Sequence, residues 1–140
     1  MKIRLRRSNK SDSAQQKKSA GRILIIDDDP VIVKMLEGRL AANGFDPLVA
    51  NEAPIGLEMA IKKNPDLIIL DVMMPIINGY NMCSLLKAEE KTKKIPIIML
   101  TARSEEIDKN IGEKVGVDAY LTKPFLIDDL LAAIRKLIKV

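Results

Sequence analysis

The chain has 140 residues, of which 47% are apolar and 30% are charged, as is typical of one soluble globular domain. It contains no histidine and a single cysteine, which excludes a zinc site, a histidine-based catalytic triad and an internal disulfide. No apolar run approaches the roughly 20 residues of a membrane-spanning helix, and a signal-peptide core is lacking, so we expect a cytoplasmic protein that makes no membrane contact.

The net charge of +4 is concentrated at the N-terminus. Residues 1–20 hold seven Lys or Arg and one Asp, whereas the remaining 120 residues hold 16 basic and 18 acidic side chains. Few apolar residues follow Leu5 in this segment, so we interpret residues 1–20 as a disordered basic tail. A contact with nucleic acid or an anionic membrane is the alternative, but no aromatic residue is available there for base stacking.

From Gly21 onward, five short apolar runs alternate with segments of helical spacing. In chain order the runs are RILIID, DPLVA, DLIILD, IPIIMLT and AYLT. Pro, Gly, Asn or Asp lies at the ends of these runs, as is typical of buried strands. The apolar repeats between and after them are Ile32, Leu36 and Leu40; Leu57 and Ile61; Met82 and Leu86; Ile107 and Ile111; and Leu130, Ile134 and Ile138. This alternation predicts one α/β domain of the (βα)5 type over residues 21–140, with a parallel sheet and right-handed crossovers.

Two kinds of residue mark the ends of the predicted helices. Asp29 followed by Pro30 is typical of an N-cap with proline at the first helical position. Gly44 and Gly116 lie where a glycine commonly ends a helix.

Polar residues follow four of the five predicted strands. Asp27 and Asp28 end the first strand, Asp71 the third and Thr101 the fourth, and Lys123 follows the fifth. Because the carboxyl ends of parallel strands meet at one edge of a sheet, we expect these five side chains to converge there.

The chemistry of that set favours phosphoryl transfer. Three carboxylates form a hard oxygen pocket that suits Mg²⁺ or a similar small dication. A lysine and a threonine beside it could bind an incoming anion, as Lys123 and Thr101 are placed to do. Asp71 is then the nucleophile that would form an aspartyl-phosphate.

The motifs together resemble the receiver domain of two-component response regulators. They are "DD" after the first strand, "DVMMP" with Gly79 eight residues past Asp71, "TA" after the fourth strand and "KPF" after the fifth. The resemblance covers Arg22 to Val140. It implies a flavodoxin-like, doubly wound sheet of five parallel strands in the order 2-1-3-4-5.

The resemblance also implies a metal site. Asp71 would be the phosphoacceptor, and Asp28 would ligate Mg²⁺ (or Mn²⁺) directly. Asp27 would help through a water molecule, and the backbone carbonyl of Met73 would complete the protein ligands.

Further residues would bind the phosphate and change conformation when it is present. Lys123 would pair with Asp71 or its phosphate, and Pro124 after it is expected to form a tight turn, for which a cis bond is one form. Thr101 would bond the phosphate, with Tyr120 as its rotating switch partner. The domain would therefore catalyse only its own Mg²⁺-dependent phosphorylation and dephosphorylation, and is not an enzyme acting on other substrates.

The sequence departs from the family pattern at a few positions. Leu126 stands where receivers often carry a capping Asp or Ser, so we expect the start of the last helix either to fray or to come later, at Asp128. Met73, Ala102 and Arg103 would flank the phosphate. A thioether cannot hold water, and Arg103 could screen the phosphorus, so we expect slow autodephosphorylation.

The expected partners are those of a receiver. A histidine kinase or phosphotransfer protein would donate the phosphoryl group, and a downstream target would bind the face formed by residues 104–140. A homodimer is compatible with the resemblance, whereas direct nucleic-acid binding by the receiver is not expected. The sequence leaves open whether the chain stands alone or is part of a larger regulator.

Three other functions make different demands on the sequence. A flavodoxin-type nucleotide binder would have three carboxylates repelling its phosphate. A haloacid-dehalogenase-type phosphatase would place its nucleophile after the first strand. A degenerate receiver, acting as a phosphorylation-independent interaction module, stays open, although it usually lacks one of the acidic, phosphoacceptor or lysine residues that are present here.

Overall fold

The five apolar runs form one parallel sheet. In the computed structural model, which describes residues 19–102 and 113–138, its strands are β1 (Arg22–Ile26), β2 (Asp46–Ala50), β3 (Leu67–Asp71), β4 (Ile97–Ala102) and β5 (Ala119–Lys123). Their order is β2-β1-β3-β4-β5, and every pair of neighbours is parallel. The predicted doubly wound, flavodoxin-like sheet is therefore confirmed.

Four helices lie in the described part of the chain: α1 (Pro30–Ala42), α2 (Ala53–Lys63), α3 (Gly79–Ala88) and α4 (Ile127–Ile138). Residues 113–115 are also helical. The predicted helix containing Ile107 and Ile111 lies outside the described residues, as do residues 1–18 of the predicted tail.

The helix ends follow local chemistry. The Asp29 side chain accepts a hydrogen bond of 3.0 Å from the Val31 amide, and Pro30 opens α1. Gly44 and Gly116 have φ of +89° and +94°, values at which glycine avoids the clash that a Cβ would cause. These predictions from sequence are confirmed.

The start of α4 is a correction. The helix begins at Ile127, one residue before the predicted Asp128. It begins earlier because the Leu126 carbonyl already accepts the amides of Asp129 and Leu130, at 3.0 and 3.3 Å. Asp128 and Asp129 then lie in the first turn, where acidic side chains favour the helix dipole.

The helices cover both faces of the sheet and create two apolar layers. Alternating strand residues point to opposite faces, so β1 contributes Leu24 and Ile26 to one layer and Ile23 and Ile25 to the other. The first layer packs under α2 and α3 and the second under α1 and α4. The central strands are therefore rigid supports for the residues at their carboxyl ends.

No helix in the described ranges is long and apolar enough to cross a lipid bilayer.

Candidate functional site

An acidic group lies at the carboxyl edge of the sheet. Asp27 follows β1 and is fully buried, Asp71 ends β3 and is 5% exposed, and Asp28 is exposed. One carboxylate oxygen of each lies within 4.8 Å of the others. The sheet order makes this possible, because β1 and β3 are direct neighbours.

The acidic group fits a small divalent cation. Oδ2 of Asp27 is buried and accepts no hydrogen bond from the described residues. Three hard oxygen donors at this spacing, one of them short of a partner, are the ligand set that Mg²⁺ prefers.

A lysine reaches the same two buried carboxylates from β5. Lys123 Nζ lies 3.5 Å from Asp71 Oδ1 and 3.7 Å from Asp27 Oδ2. The Lys123–Pro124 peptide bond is cis, one of the forms that the sequence allows for this turn. The ammonium group offsets part of the negative charge, and the Lys123 side chain remains 22% exposed, so an anion entering the pocket could still contact it.

Backbone amides orient the two buried carboxylates. The Asp29 amide donates to Asp27 Oδ1 at 2.9 Å, and the Met73 amide donates to Asp71 Oδ1 at 3.3 Å. Each amide comes from two residues further along the chain, so each strand-ending turn holds its own carboxylate.

Burial and like charge raise the pKa of both carboxyl groups. Desolvation is the main cause of the raised pKa of Asp27. Desolvation, followed by repulsion from Asp27, raises the pKa of Asp71 to about 6, although Lys123 acts in the opposite direction. The metal-free pocket is therefore short of positive charge.

Gly79 allows α3 to start in close contact with the end of β3. Its amide donates to the Val72 carbonyl at 2.8 Å, and a Cβ at this position would lie 2.6 Å from the Asp71 carbonyl oxygen. Any side chain would push the helix away from the site. The sequence showed that Gly79 follows Asp71 by eight residues. The structure explains why that position requires glycine.

Thr101 lies near the carboxyl end of β4, the strand next to β3, and Tyr120 lies near the start of β5. Thr101 is 2% exposed, and its Oγ1 makes no hydrogen bond within the described residues. A buried hydroxyl without a partner costs about 1–3 kcal/mol, which an entering anion would recover. The Tyr120 hydroxyl is also buried, and its ring packs against the α2–α3 layer.

The remaining predicted residues fall in different places. Met73 is 63% exposed, and it contacts Asp71 through its backbone amide. Ala102 ends β4 and pairs in register with Lys123. Arg103 lies outside the described residues.

Two features near the site were missed from the sequence. Asn78 caps α3, its side chain accepting from the Asn81 amide at 2.9 Å; an Asn directly before a helical segment was the available signal. Ile76 has φ of +74° and is 81% exposed. The apolar pattern of a sequence does not indicate that an isoleucine has a left-handed backbone conformation.

Comparisons with known proteins agree with this geometry. The model of the response regulator receiver domain matches residues 23–135. Over 118 residues the chain is 42% identical to the DNA-binding dual master transcriptional regulator RpaA of Synechocystis sp., covering 84% of this chain and 49% of that protein. It is 37% identical to the alkaline phosphatase synthesis transcriptional regulatory protein PhoP of Bacillus subtilis, covering 84% and 48%. The chain thus spans about half the length of these curated relatives.

Solved structures show the same similarity. A response regulator of Chloroflexus aurantiacus superposes with a TM-score of 0.81 at 33% identity, covering 89% of this chain and 100% of that one. The receiver domain of a sensor histidine kinase from Pseudomonas aeruginosa, solved with a magnesium ion coordinated in its active site cleft, gives 0.78 at 27% identity, covering 86% and 98%.

Proposed function

The chain belongs to the response regulator receiver domain family, and from that membership we propose that it accepts a phosphoryl group on Asp71 in a two-component phosphorelay. The donor would be a histidine kinase or phosphotransfer protein. Phosphorylation of Asp71 would change the partner-binding surface of the domain. The domain is therefore a signalling domain and not an enzyme acting on other substrates.

The observation that carries this proposal is the position of Asp71. It lies within one acidic group with Asp27 and Asp28, and its Oδ1 is 3.5 Å from Lys123 Nζ. An isolated structural aspartate has no need of two further carboxylates and a shared lysine. An aspartate that must receive a phosphoryl group does, because the carboxylates can hold a cation that, together with the lysine, would neutralise the incoming negative charge.

Each residue then has a role in the transfer. Asp71 forms the new O–P bond while the bond from phosphorus to the donor atom breaks, and the donor leaves with the electron pair. Lys123 would pair with the transferred oxygens, and the Thr101 hydroxyl would donate to one of them. Ala102 and Met73 would flank the phosphorus.

Asp27, Asp28, Asp71 and the Met73 carbonyl would hold Mg²⁺ (or Mn²⁺). The bound cation would supply positive charge to the phosphoryl oxygens. Asp27 is the most buried of these carboxylates and already accepts the Asp29 amide. It therefore suits an indirect role, through water, better than Asp28, which is exposed.

The readout belongs to this proposal too. Tyr120 would follow the state of Thr101 as the switch residue, and a target would bind the face of residues 104–140. Residues 104–112, 139 and 140 of that face lie outside the described part of the chain. The relatives are about twice as long as this chain, so the DNA binding named for them is not assigned to this receiver. We infer a cytoplasmic domain without direct nucleic-acid contact.

Intact mass after incubation with acetyl phosphate and Mg²⁺ tests the proposal. The chain should gain one phosphate, and Asp71→Asn should gain none. Asp29→Asn is the matched control, because Asp29 caps α1 and stands outside the acidic group, and it should still be phosphorylated. An unchanged wild-type mass together with no Mg²⁺ binding would favour the degenerate, phosphorylation-independent module.

A further inference from the structure

Two aspartates at the opposite, amino edge of the sheet make the same unusual pair of hydrogen bonds. The Asp66 amide donates to the Arg22 carbonyl at 2.8 Å, and the Arg22 amide donates to Asp66 Oδ2 at 2.8 Å. The Asp118 amide donates to the Ile97 carbonyl at 3.0 Å, and the Ile97 amide donates to Asp118 Oδ2 at 2.8 Å. Each aspartate thus brackets one residue of the neighbouring strand with its own backbone and side chain.

The two brackets come directly before the strands that carry the reacting groups. Asp66 precedes β3, and Asp71 follows five residues later; Asp118 precedes β5, and Lys123 follows five residues later. A bracketed residue cannot shift along its neighbour without losing both bonds. Each bracket therefore fixes the register of its strand.

Register decides whether Lys123 meets Asp71. A slip by one residue moves a strand by about 3.3 Å and turns each side chain to the other face. The Lys123 Nζ to Asp71 Oδ1 distance of 3.5 Å leaves no room for such a shift.

We propose that Asp66 and Asp118 are positioning residues which, from about 17 Å away, set the registers that bring Asp71 and Lys123 together. The inference rests on the proposed phosphotransfer. Neither aspartate touches the reacting atoms.

Asp118 should contribute more to strand register than Asp66. In the described sheet β5 is hydrogen-bonded only to β4, whereas β3 is hydrogen-bonded to both β1 and β4. Its bracket is reinforced from α3. Lys87 Nζ donates to the Ile95 carbonyl at 2.7 Å and lies 3.5 Å from Asp118 Oδ2. Lys87 and Asp118 thus satisfy the backbone groups on either side of Pro96, which has no amide of its own to donate.

The experiment compares phosphorylation rates with acetyl phosphate and Mg²⁺ in single variants of the full chain. Asp118→Ala should be phosphorylated roughly tenfold more slowly, because small misplacements of a catalytic group cost that much or more. Asp66→Ala should lose less, and Asp118→Asn should restore most of the rate, since its amide oxygen can still accept the Ile97 amide. The matched control is Asp46→Ala, which removes an amino-edge aspartate from β2, a strand that carries no site residue.

A second readout is independent of phosphorylation. The backbone amide signal of Lys123 in a ¹⁵N–¹H spectrum should shift in Asp118→Ala and return in Asp118→Asn. Should Asp118→Ala not fold, Asp118→Glu gives the same test, because its carboxylate is carried one methylene beyond the Ile97 amide.

The outcomes separate the two proposals. No phosphorylation of the wild type would overturn the proposed function. Normal wild-type phosphorylation, with Asp118→Ala (or Asp118→Glu) at the same rate and with an unmoved Lys123 signal, would overturn the positioning role alone. An equal loss of rate in Asp46→Ala would also overturn it, since the effect would then be general destabilisation.

Discussion

Asp71 and Asp27 place two carboxylates in a nearly dry pocket with one lysine between them. Burial, with repulsion from a neighbouring carboxylate, raises the pKa of both groups, that of Asp71 to about 6. The folded protein therefore binds a proton at Asp71 more tightly than the unfolded chain, in which an aspartate has its ordinary pKa near 4. Between about pH 4 and 6 this group makes the free energy of unfolding fall as the pH rises.

Replacing Asp71 with Asn should remove that pH dependence. Without metal, Asp71→Asn should gain stability relative to the wild type between pH 4 and 7, by an amount on the order of 3 kcal/mol if the full shift is expressed. Urea unfolding in the presence of a chelator measures the difference at each pH. A difference that stays constant with pH would contradict the raised pKa of Asp71.

The sequence predicts single residues well where strand order alone places them. Asp27, Asp71, Thr101 and Lys123 each follow an apolar run, and a parallel sheet necessarily brings such residues to one edge. The sequence could not predict the left-handed backbone of Ile76. An apolar pattern indicates which side chains are buried, but it carries no information about the backbone angle φ of an exposed residue. Ile76 is exposed, and its unusual feature is a positive φ.

The loop between β3 and α3 contains this unfavourable backbone. Ile76 has φ of +74°, in a region that β-branched side chains rarely adopt, and its side chain is 81% exposed and so gains little from packing. Ile76→Asn should therefore stabilise the fold by about 1 kcal/mol, because asparagine tolerates this conformation better.

Ile55→Asn is the matched control, since Ile55 is also exposed, at 41%, but lies in helix α2, where asparagine is slightly unfavourable. Urea unfolding midpoints compare the two variants. If Ile76→Asn is no more stable than Ile55→Asn, the loop backbone is not strained by its isoleucine.

The identity of each helix and strand was easier to predict from sequence than the residue at which it begins or ends. The five apolar runs became the five strands because each is short, mostly apolar and bounded by turn residues. The start of α4 was misplaced by one residue, because it depends on the Leu126 carbonyl and not on a side-chain cap. Pairs such as Asp66 with Arg22 join residues 44 positions apart, and no local pattern could reveal them.

The acidic group should make the stability of the whole domain depend on magnesium. A ligand that binds only the folded state stabilises it by about 2.7 kcal/mol at 100 times its Kd. The melting temperature should therefore rise with Mg²⁺ in the wild type, and Asp28→Asn should lose most of that rise. Asp29→Asn should keep it, because Asp29 lies outside the acidic group.

Thermal unfolding with and without Mg²⁺ measures this dependence. Because Asp28 is exposed, its replacement should change the metal-free melting temperature little. An Asp28→Asn variant that Mg²⁺ stabilises as much as the wild type would remove Asp28 from the metal site.

The first described turn of the chain has a practical consequence for attaching the protein to other objects. The Ala20 amide donates to the Gly44 carbonyl at 2.8 Å, which fixes the point where residues 1–18 join the domain. That point lies at the amino edge of β1, and Asp27 lies at the far end of the same strand. A bead, a sensor chip or a fluorescent protein joined directly at Ser19 would therefore lie at the amino edge of the sheet, opposite Asp71, and the pocket would stay accessible to a phosphodonor as large as a protein.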